Sequence, residues 1–121
     1  MRLDKLVKAT VAALEDIKGR DIQVLDVRKM TSVFDKLIIV TADSARQGKA
    51  LSNSVQEKLK AQGERIYGVE GEQVGEWILV DLGAVVVHIM QPAIRQYYNL
   101  EELWTPAARR TRRRTADSSA A

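Results

Sequence analysis

The sequence predicts an α/β fold, a two-layer sandwich in which a mixed five-stranded sheet carries its helices mainly on one face. Two amphipathic segments, with apolar residues at helical spacing, are separated by short runs of β-branched and aliphatic residues. The order of these elements is α-β-β-α-β-β-β-α, and its βα alternation favours one parallel pair of strands. The chain has 121 residues, which is enough for one hydrophobic core and too few for two.

The first part of the chain predicts a helix followed by two strands. Apolar residues recur at helical spacing between Leu3 and Ile17, and Gly19 follows as a C-terminal cap. Residues 22–27 (IQVLDV) have the β-branched and aliphatic composition of a strand. Residues 37–40 (LIIV) form a short continuous apolar run, which indicates a strand that is buried on both faces.

The second helix has the clearest start signal in the chain. Ser44, with Gln47 three residues later, forms a capping box. The apolar positions that predict the buried stripe are Leu51, Val55 and Leu59. Gly63 closes the helix. After the short third strand segment Arg65-Ile66-Tyr67, three glycines within eight residues, Gly68, Gly71 and Gly75, predict a turn-rich link to the next strand.

Two further strands and a helical end complete the predicted domain. Residues 77–81 and 84–90 form a hairpin with Leu82-Gly83 as its two-residue turn, so that Asp81 pairs with Ala84 and Trp77 with His88. Pro92 stops the last strand and opens a short helical end through Trp104.

Alternation along the hairpin separates two faces. The aliphatic face, expected to contact the helices, contains Ile78, Val80, Val85, Val87 and Ile89. The opposite face is mixed, as interaction surfaces tend to be, and contains Trp77, Leu79, Asp81, Val86, His88 and Met90. Two interpretations of Trp77 stay open here: an anchor for a partner, or a core residue beneath the C-terminal segment. His88 taken alone favours a hydrogen-bonded packing or surface residue, because a lone histidine supports no metal site.

The net charge of +3 lies in a tail. Residues 105–121 carry five arginines against one aspartate, a net charge of +4, which leaves −1 for the folded domain at residues 1–104. The arginines are Arg109, Arg110, Arg112, Arg113 and Arg114. This composition predicts a disordered tail, and it fits either an arm that makes salt-sensitive contacts with RNA or a solvated segment without a partner.

Composition and termini narrow the class of protein. The chain has no cysteine, which excludes disulfides and thiolate zinc sites and permits a reducing compartment. Charged residues interrupt the N-terminal region, so no export signal is predicted, and no apolar run is long enough for a membrane helix. We expect a cytoplasmic protein without a membrane partner.

A nucleotide-binding or nucleotidyl-transferring enzyme is the main alternative to a binding protein. Four aspartates lie near predicted strand ends, where two carboxylates could hold magnesium: Asp26, Asp35, Asp43 and Asp81. Asp43 and Ser44 at the start of the second helix, with Arg46 beside them, could hold an anion. They are more simply helix-capping residues, and the chain has neither D-x-D nor a phosphate-binding loop motif. Neither catalysis nor a cofactor is expected.

Several linked blocks resemble the ribosomal silencing factor family, RsfS, also called Iojap-like or YbeB-like proteins. The match runs from about Leu3 to Trp104. Its blocks are Asp26, Ser32 with Asp35, residues 37–41, Ser44-Ala45-Arg46-Gln47, Glu70-Gly71, residues 75–81, Gly83, residues 85–88, Arg95 and residues 97–104. The chain departs from the family at Lys36, where an aromatic residue is usual, and at Ala42-Asp43, where a glycine-containing turn is commoner.

The resemblance implies a function and a partner. Proteins of this family bind the large ribosomal subunit through ribosomal protein L fourteen, sterically block joining of the small subunit, and repress translation when nutrients are scarce. Their fold is similar to that of nucleotidyltransferases but lacks the catalytic acidic residues.

The predicted contact with that partner uses the mixed face. Its residues are Trp77, Leu79, Asp81, His88 and Met90, with Arg95, Tyr98, Leu103 and Trp104 at the margin. Trp77 is the expected anchor, and Asp81 the expected partner of a basic residue. The arginine tail is the candidate for a peripheral contact with ribosomal RNA. An apolar face left open in the free protein also favours a weak homodimer.

Overall fold

A computed structural model describes residues 2–105 of the chain. The elements, in chain order, are α1 (Leu3–Asp16), β1 (Arg20–Asp26), β2 (Lys36–Thr41), α2 (Ala45–Ala61), β3 (Gly68–Glu70), β4 (Trp77–Asp81), β5 (Val85–Met90), α3 (Pro92–Tyr98) and α4 (Leu100–Leu103). This is the predicted order, except that the helical end consists of two short helices. Within the described range, no helix has the length and apolar character needed to span a membrane.

The five strands form one mixed sheet in the order β1-β2-β5-β4-β3. Strands β2 and β5 are parallel, and every other neighbouring pair is antiparallel. The parallel pair is connected by a crossover that contains α2, as parallel strands require. The predicted fold class, an α/β two-layer arrangement around a mixed five-stranded sheet, is confirmed.

The larger core lies between the sheet and helices α1 and α2. The aliphatic hairpin face points into this core as predicted, and each of its five side chains is at most 1% exposed. Leu51, Val55 and Leu59 of α2 and Leu14 of α1 are fully buried against it. Burial of each such side chain stabilises the fold by about 1.5–3 kcal/mol.

A smaller core lies on the opposite face of the sheet. Its buried members are Val27, Leu37, Ile39, Met90 and Leu100. The partly buried residues packed around it are Leu25, Phe34, Trp77, Val86, Ile94 and Trp104. Because β2 contributes to both cores, Leu37, Ile38, Ile39 and Val40 are all fully buried, as the continuous apolar run predicted. Helices α3 and α4 therefore cover part of the face that α1 and α2 leave open.

The end of α1 differs from its prediction. Lys18, and not Gly19, adopts the left-handed conformation, with φ of 60°. Gly19 donates its N–H to Leu14 O at 3.0 Å. A Cβ atom at Gly19 would lie 2.6 Å from Cγ2 of Val40, so this position needs a glycine because the chain passes close to the sheet.

The start of α2 matches its prediction with one difference. Ser44 is the N-cap, and its Oγ accepts the N–H of Gln47 at 3.0 Å. Gln47 Oε1 accepts from the N–H of Asp43 at 2.7 Å, one residue before the donor of a reciprocal capping box. Gln47 Nε2 also donates to the carbonyl of Ile17 at 3.1 Å, which ties the start of α2 to the end of α1.

The predicted hairpin register is wrong by two residues. Trp77 pairs with Met90, and Leu79 pairs with His88. The turn is centred on Gly83-Ala84, since Leu82 N donates to Val85 O at 2.9 Å and Gly83 has φ of +87°. A shift of two residues restores every side chain to its original face, so the predicted division into two faces holds.

Candidate functional site

The mixed face of the hairpin is only half covered by the C-terminal helices. Met90 is fully buried and His88 is 9% exposed, whereas four neighbours stay partly exposed: Trp77, Leu79, Asp81 and Val86. Tyr98, at the end of α3, is 51% exposed beside them. We call these five partly or fully exposed residues the docking face: Trp77, Leu79, Asp81, Val86 and Tyr98. Its centre is apolar, as the centre of a protein interface usually is.

Trp77 is fixed from two sides. Its indole ring packs at 4.8 Å, centroid to centroid, from the ring of Tyr98 and at 5.8 Å from that of His88. Its Nε1 donates a hydrogen bond of 2.9 Å to Nδ1 of His88. The open edge of the indole lines a shallow pocket with Leu79, Glu70 and Gly71. Trp77 therefore packs on the smaller core and also stays partly exposed, and its role as an anchor for a partner stays a prediction.

His88 positions the indole and offers almost no surface of its own. Because Nδ1 accepts a hydrogen bond, the neutral ring carries its proton on Nε2. Burial lowers the pKa of His88 from 6.5 to about 4, since desolvation disfavours the charged imidazolium. At 9% exposure, His88 leaves little area for a direct contact with a partner, and that contact stays a prediction.

We predict that His88 makes the stability of the protein depend on pH between about 6.5 and 4. In this pH range His88 is protonated in the unfolded chain but not in the folded chain, so acidification lowers the free energy of unfolding. The slope reaches about 1.4 kcal/mol per pH unit and the total loss about 3 kcal/mol. Because the chain has one histidine, a histidine-dependent change of stability can be assigned to His88. Urea unfolding across this pH range measures it.

His88→Asn is the matched control for that experiment. The asparagine amide can accept from the Trp77 indole but does not titrate. Asp26 and Asp43 also have lowered pKa values, and with an ordinary value of 3.8 they begin to lower stability below about pH 5, but equally in His88→Asn and in the unchanged protein. A slope in His88→Asn equal to that of the unchanged protein would contradict the assignment to His88.

Arg95 fastens the covering helices to the sheet. Its side chain is 11% exposed. Nη1 donates to the carbonyl of Asp21 at 2.7 Å and to Oγ1 of Thr41 at 2.8 Å. Nε and Nη2 donate to Oε2 of Glu101 at 3.3 and 3.2 Å. With four hydrogen bonds inside the domain, Arg95 serves as a structural clamp, and its contact with a partner stays a prediction.

The other predicted residues divide between core and surface. Met90 has no exposed area, so its predicted contact with a partner is wrong: its side chain fills the smaller core. Trp104 is half-buried and packs edge-on against Phe34, with ring centroids 5.4 Å apart. Leu103 is 56% exposed. Asp81 is partly exposed, and its Oδ1 accepts from the N–H of Gly83 at 2.8 Å, which shapes the hairpin turn.

Tyr97 is the surface residue that the sequence interpretation missed. It is 81% exposed, and its ring lies edge-on to Tyr98 at 5.0 Å. The Tyr97-Tyr98 pair is visible in the sequence, but the exposure of each ring depends on how α3 packs on the sheet. Thr105, predicted to begin the tail, is 5% exposed and donates from Oγ1 to Glu101 O. The arginines at 109–114 lie outside the described residues.

Several of the groups proposed for a magnesium or anion site already have structural partners. Asp43 accepts from Nη2 and Nε of Arg20 at 2.5–3.0 Å, and Ser44 caps α2. Asp26 accepts in the same way from Arg28. Within residues 2–105, no group of three or more histidine, cysteine or acidic side chains converges in a geometry that could hold a metal ion.

Comparison with known proteins finds relatives that share one family name. The family model described as "Ribosomal silencing factor during starvation" matches residues 1–121. The chain is 56% identical over 104 residues to the ribosomal silencing factor RsfS of Chromobacterium violaceum, covering 86% of this chain and 85% of that protein. A crystal structure of a Chromobacterium violaceum protein matches with a TM-score of 0.85 and 54% identity, covering 88% of this chain and 92% of that one.

A more distant relative extends the comparison to organelles. The mouse protein named "Mitochondrial assembly of ribosomal large subunit protein 1" is 32% identical over 98 residues, which cover 78% of this chain and 43% of that protein. The family match over the whole chain and the identity to curated members agree with the fold and with the resemblance read from the sequence. The chain belongs to the ribosomal silencing factor family, RsfS.

Proposed function

We propose that the docking face binds the large ribosomal subunit through ribosomal protein L fourteen, blocks joining of the small subunit, and so represses translation under nutrient limitation. The observation that carries this proposal is the half-covered sheet face with Trp77 held at its centre. Complete cover of this apolar face would increase the stability of an isolated domain, so a face left half open favours a surface for a partner.

The fixed indole suits a protein partner. Tryptophan and tyrosine are enriched among the residues that dominate interface energies. Trp77 already has its orientation set by His88 and Tyr98, so little side-chain entropy is lost when a partner covers it. Leu79 extends the apolar centre, and the carboxylate of Asp81 at the rim favours a basic residue on the partner.

To block joining of the small subunit, the bound protein only has to occupy space at the right position, and no catalytic step is required. A 13.5 kDa chain seated on the intersubunit side of the large subunit occupies volume that the small subunit needs. The mouse relative's name, which refers to assembly of the large ribosomal subunit, supports the large subunit as the partner. The silencing-factor name shared by the family model and the RsfS relative supports repression of translation as the result of binding.

Co-sedimentation with isolated ribosomal subunits tests the partner. We expect stoichiometric binding to the large subunit and none to the small subunit at physiological ionic strength, because a specific apolar face is the main contact. A full-length variant with the five tail arginines (109, 110, 112, 113 and 114) changed to glutamine serves as the control. It should bind as well as the unchanged protein.

Two outcomes would contradict the proposal. Equal binding to both subunits, lost on neutralisation of the tail, would show an RNA-binding adaptor that acts through nonspecific phosphate contacts. Failure to bind either subunit would remove the ribosome as partner. Calorimetry with magnesium and nucleoside triphosphates would then test the nucleotide-binding alternative.

A further inference from the structure

The exposed side of α2 carries a continuous polar stripe that the docking face does not use. Its residues follow each other at spacings of three and four: Arg46, Lys49, Asn53, Gln56 and Lys60. We call them the α2 stripe. Residues at these spacings share one side of a helix. Four of the five are exposed and Gln56 is partly exposed, while Leu51, Val55 and Leu59 on another side are fully buried.

The stripe places three cations on one side of a domain whose net charge is slightly negative. Its three cations belong to a body, residues 1–104, with a net charge of −1. Among residues 2–105, none of the three forms an ion pair, whereas Lys58 on the same helix pairs with Asp16. The single acid of α2, Glu57, is exposed and lies four residues after Asn53 and three before Lys60, so this side of the helix carries three positive charges and one negative charge.

The chemistry of the stripe fits a polyanion. The three cations of the stripe span roughly 21 Å of helix axis, so they can contact several phosphates of a nucleic-acid backbone. Asn53 and Gln56 lie between the cations, and amide side chains are common donors to phosphate and sugar oxygens. The stripe has no aromatic residue on which a base could stack, so the contact would be to the backbone and independent of sequence.

Position adds a second argument. Helix α2 packs on the sheet face opposite the docking face, because its buried side belongs to the larger core. The two surfaces therefore point in different directions and can be occupied at the same time. We propose that the α2 stripe binds the phosphodiester backbone of RNA. This inference concerns a second surface and does not depend on the docking face.

A binding measurement with RNA alone tests the stripe. The probe is a fluorescein-labelled RNA duplex of about 16 base pairs, titrated with the full-length protein between about 50 and 200 mM salt. The variant is Arg46→Gln, Lys49→Gln and Lys60→Gln together. We expect at least a tenfold weaker affinity at the lower salt, and a fall of roughly 2–3 in the slope of log affinity against log salt, about 0.9 for each lost phosphate contact.

The matched control removes three exposed positive charges elsewhere, as Lys5→Gln, Lys8→Gln and Lys29→Gln together. It keeps the stripe and the arginine tail, so its affinity should fall less than threefold and its salt slope should stay nearly unchanged. Restoring the charge as Arg46→Lys, Lys49→Arg and Lys60→Arg should restore binding. Circular dichroism establishes that each variant is folded, as expected for surface changes.

Three results would overturn the inference. Equal losses in the stripe variant and the control would show that RNA binding follows net charge alone. An unchanged salt slope in the stripe variant would assign the binding to other residues. Binding of the stripe to vesicles of anionic lipid, without binding to the RNA duplex, would identify a different polyanion. None of these results bears on co-sedimentation through the docking face, so the two proposals fail separately.

Discussion

Trp77→Ala is expected to weaken binding to the large ribosomal subunit by at least roughly 30-fold, which corresponds to about 2 kcal/mol. The indole is the largest partly exposed side chain of the docking face, and His88 and Tyr98 hold it in one orientation. Its removal takes away both contact area and preorganisation. Co-sedimentation over a concentration series measures the loss.

The same substitution also lowers the stability of the domain. Trp77 packs on the smaller core, and its removal leaves Nδ1 of His88 without a donor. Full burial of tryptophan would make the cost 3–5 kcal/mol, and for this half-buried ring we expect about 2 kcal/mol. The fold should persist with a lower midpoint temperature of unfolding. The binding assay should therefore be run well below that temperature.

Met90→Ala separates the two effects. Met90 is fully buried in the same core and directly paired with Trp77 across the hairpin, so its truncation destabilises the domain by about 2 kcal/mol or more. It removes no surface from the docking face. We therefore expect Met90→Ala to bind almost normally and Trp77→Ala to fail. Equal losses in the two variants would show that binding follows stability, and the assignment of Trp77 as the anchor would be wrong.

The hairpin shows which features the sequence can predict. Side chains alternate with period two whatever the register, so the aliphatic and mixed faces were correct even though the strands pair two residues away from the predicted alignment. The register depends on whether Leu82 belongs to the turn or closes it, and composition does not separate these cases. Trp77 and His88 still meet, as a diagonal pair rather than a direct one.

The role of Arg95 shows what the sequence cannot predict. Its acceptors at Thr41 and Asp21 lie 54 and 74 residues earlier in the chain. No local spacing encodes such contacts, because they exist only after the C-terminal helices fold back over the sheet. The sequence therefore does not reveal that Arg95 is engaged inside the domain. The same limit applies to Met90, whose burial depends on the cover that α3 and α4 provide.

Arg95→Met is expected to lower the free energy of unfolding by about 2 kcal/mol. Methionine retains much of the aliphatic stem but removes every donor of the guanidinium. Glu101 then keeps a partly buried carboxylate without its cation, and its Oε1 already has no hydrogen-bond partner. Thr41 and Asp21 also lose a donor. Urea unfolding followed by tryptophan fluorescence measures the change.

A double-mutant cycle assigns the cost to the Arg95–Glu101 pair. Glu101→Gln removes the charge, so adding it to Arg95→Met should recover about 1 kcal/mol, because the partly buried carboxylate is no longer left alone. Strict additivity of the two substitutions would show that the backbone and Thr41 contacts carry the effect instead.

The consequence of the Arg95 clamp for binding follows from the cover it holds in place. Arg95 is at the centre of α3, the helix that ends at Tyr98, and Tyr98 supports the indole of Trp77. Arg95→Met should therefore weaken subunit binding several-fold at a temperature where the protein is fully folded, because the helix that ends at Tyr98 loses its attachment to the sheet. Met90→Ala, with a similar loss of stability, should not. If Arg95→Met loses stability and binds normally, the docking face is positioned by the sheet alone, and the covering helices serve only to close the smaller core.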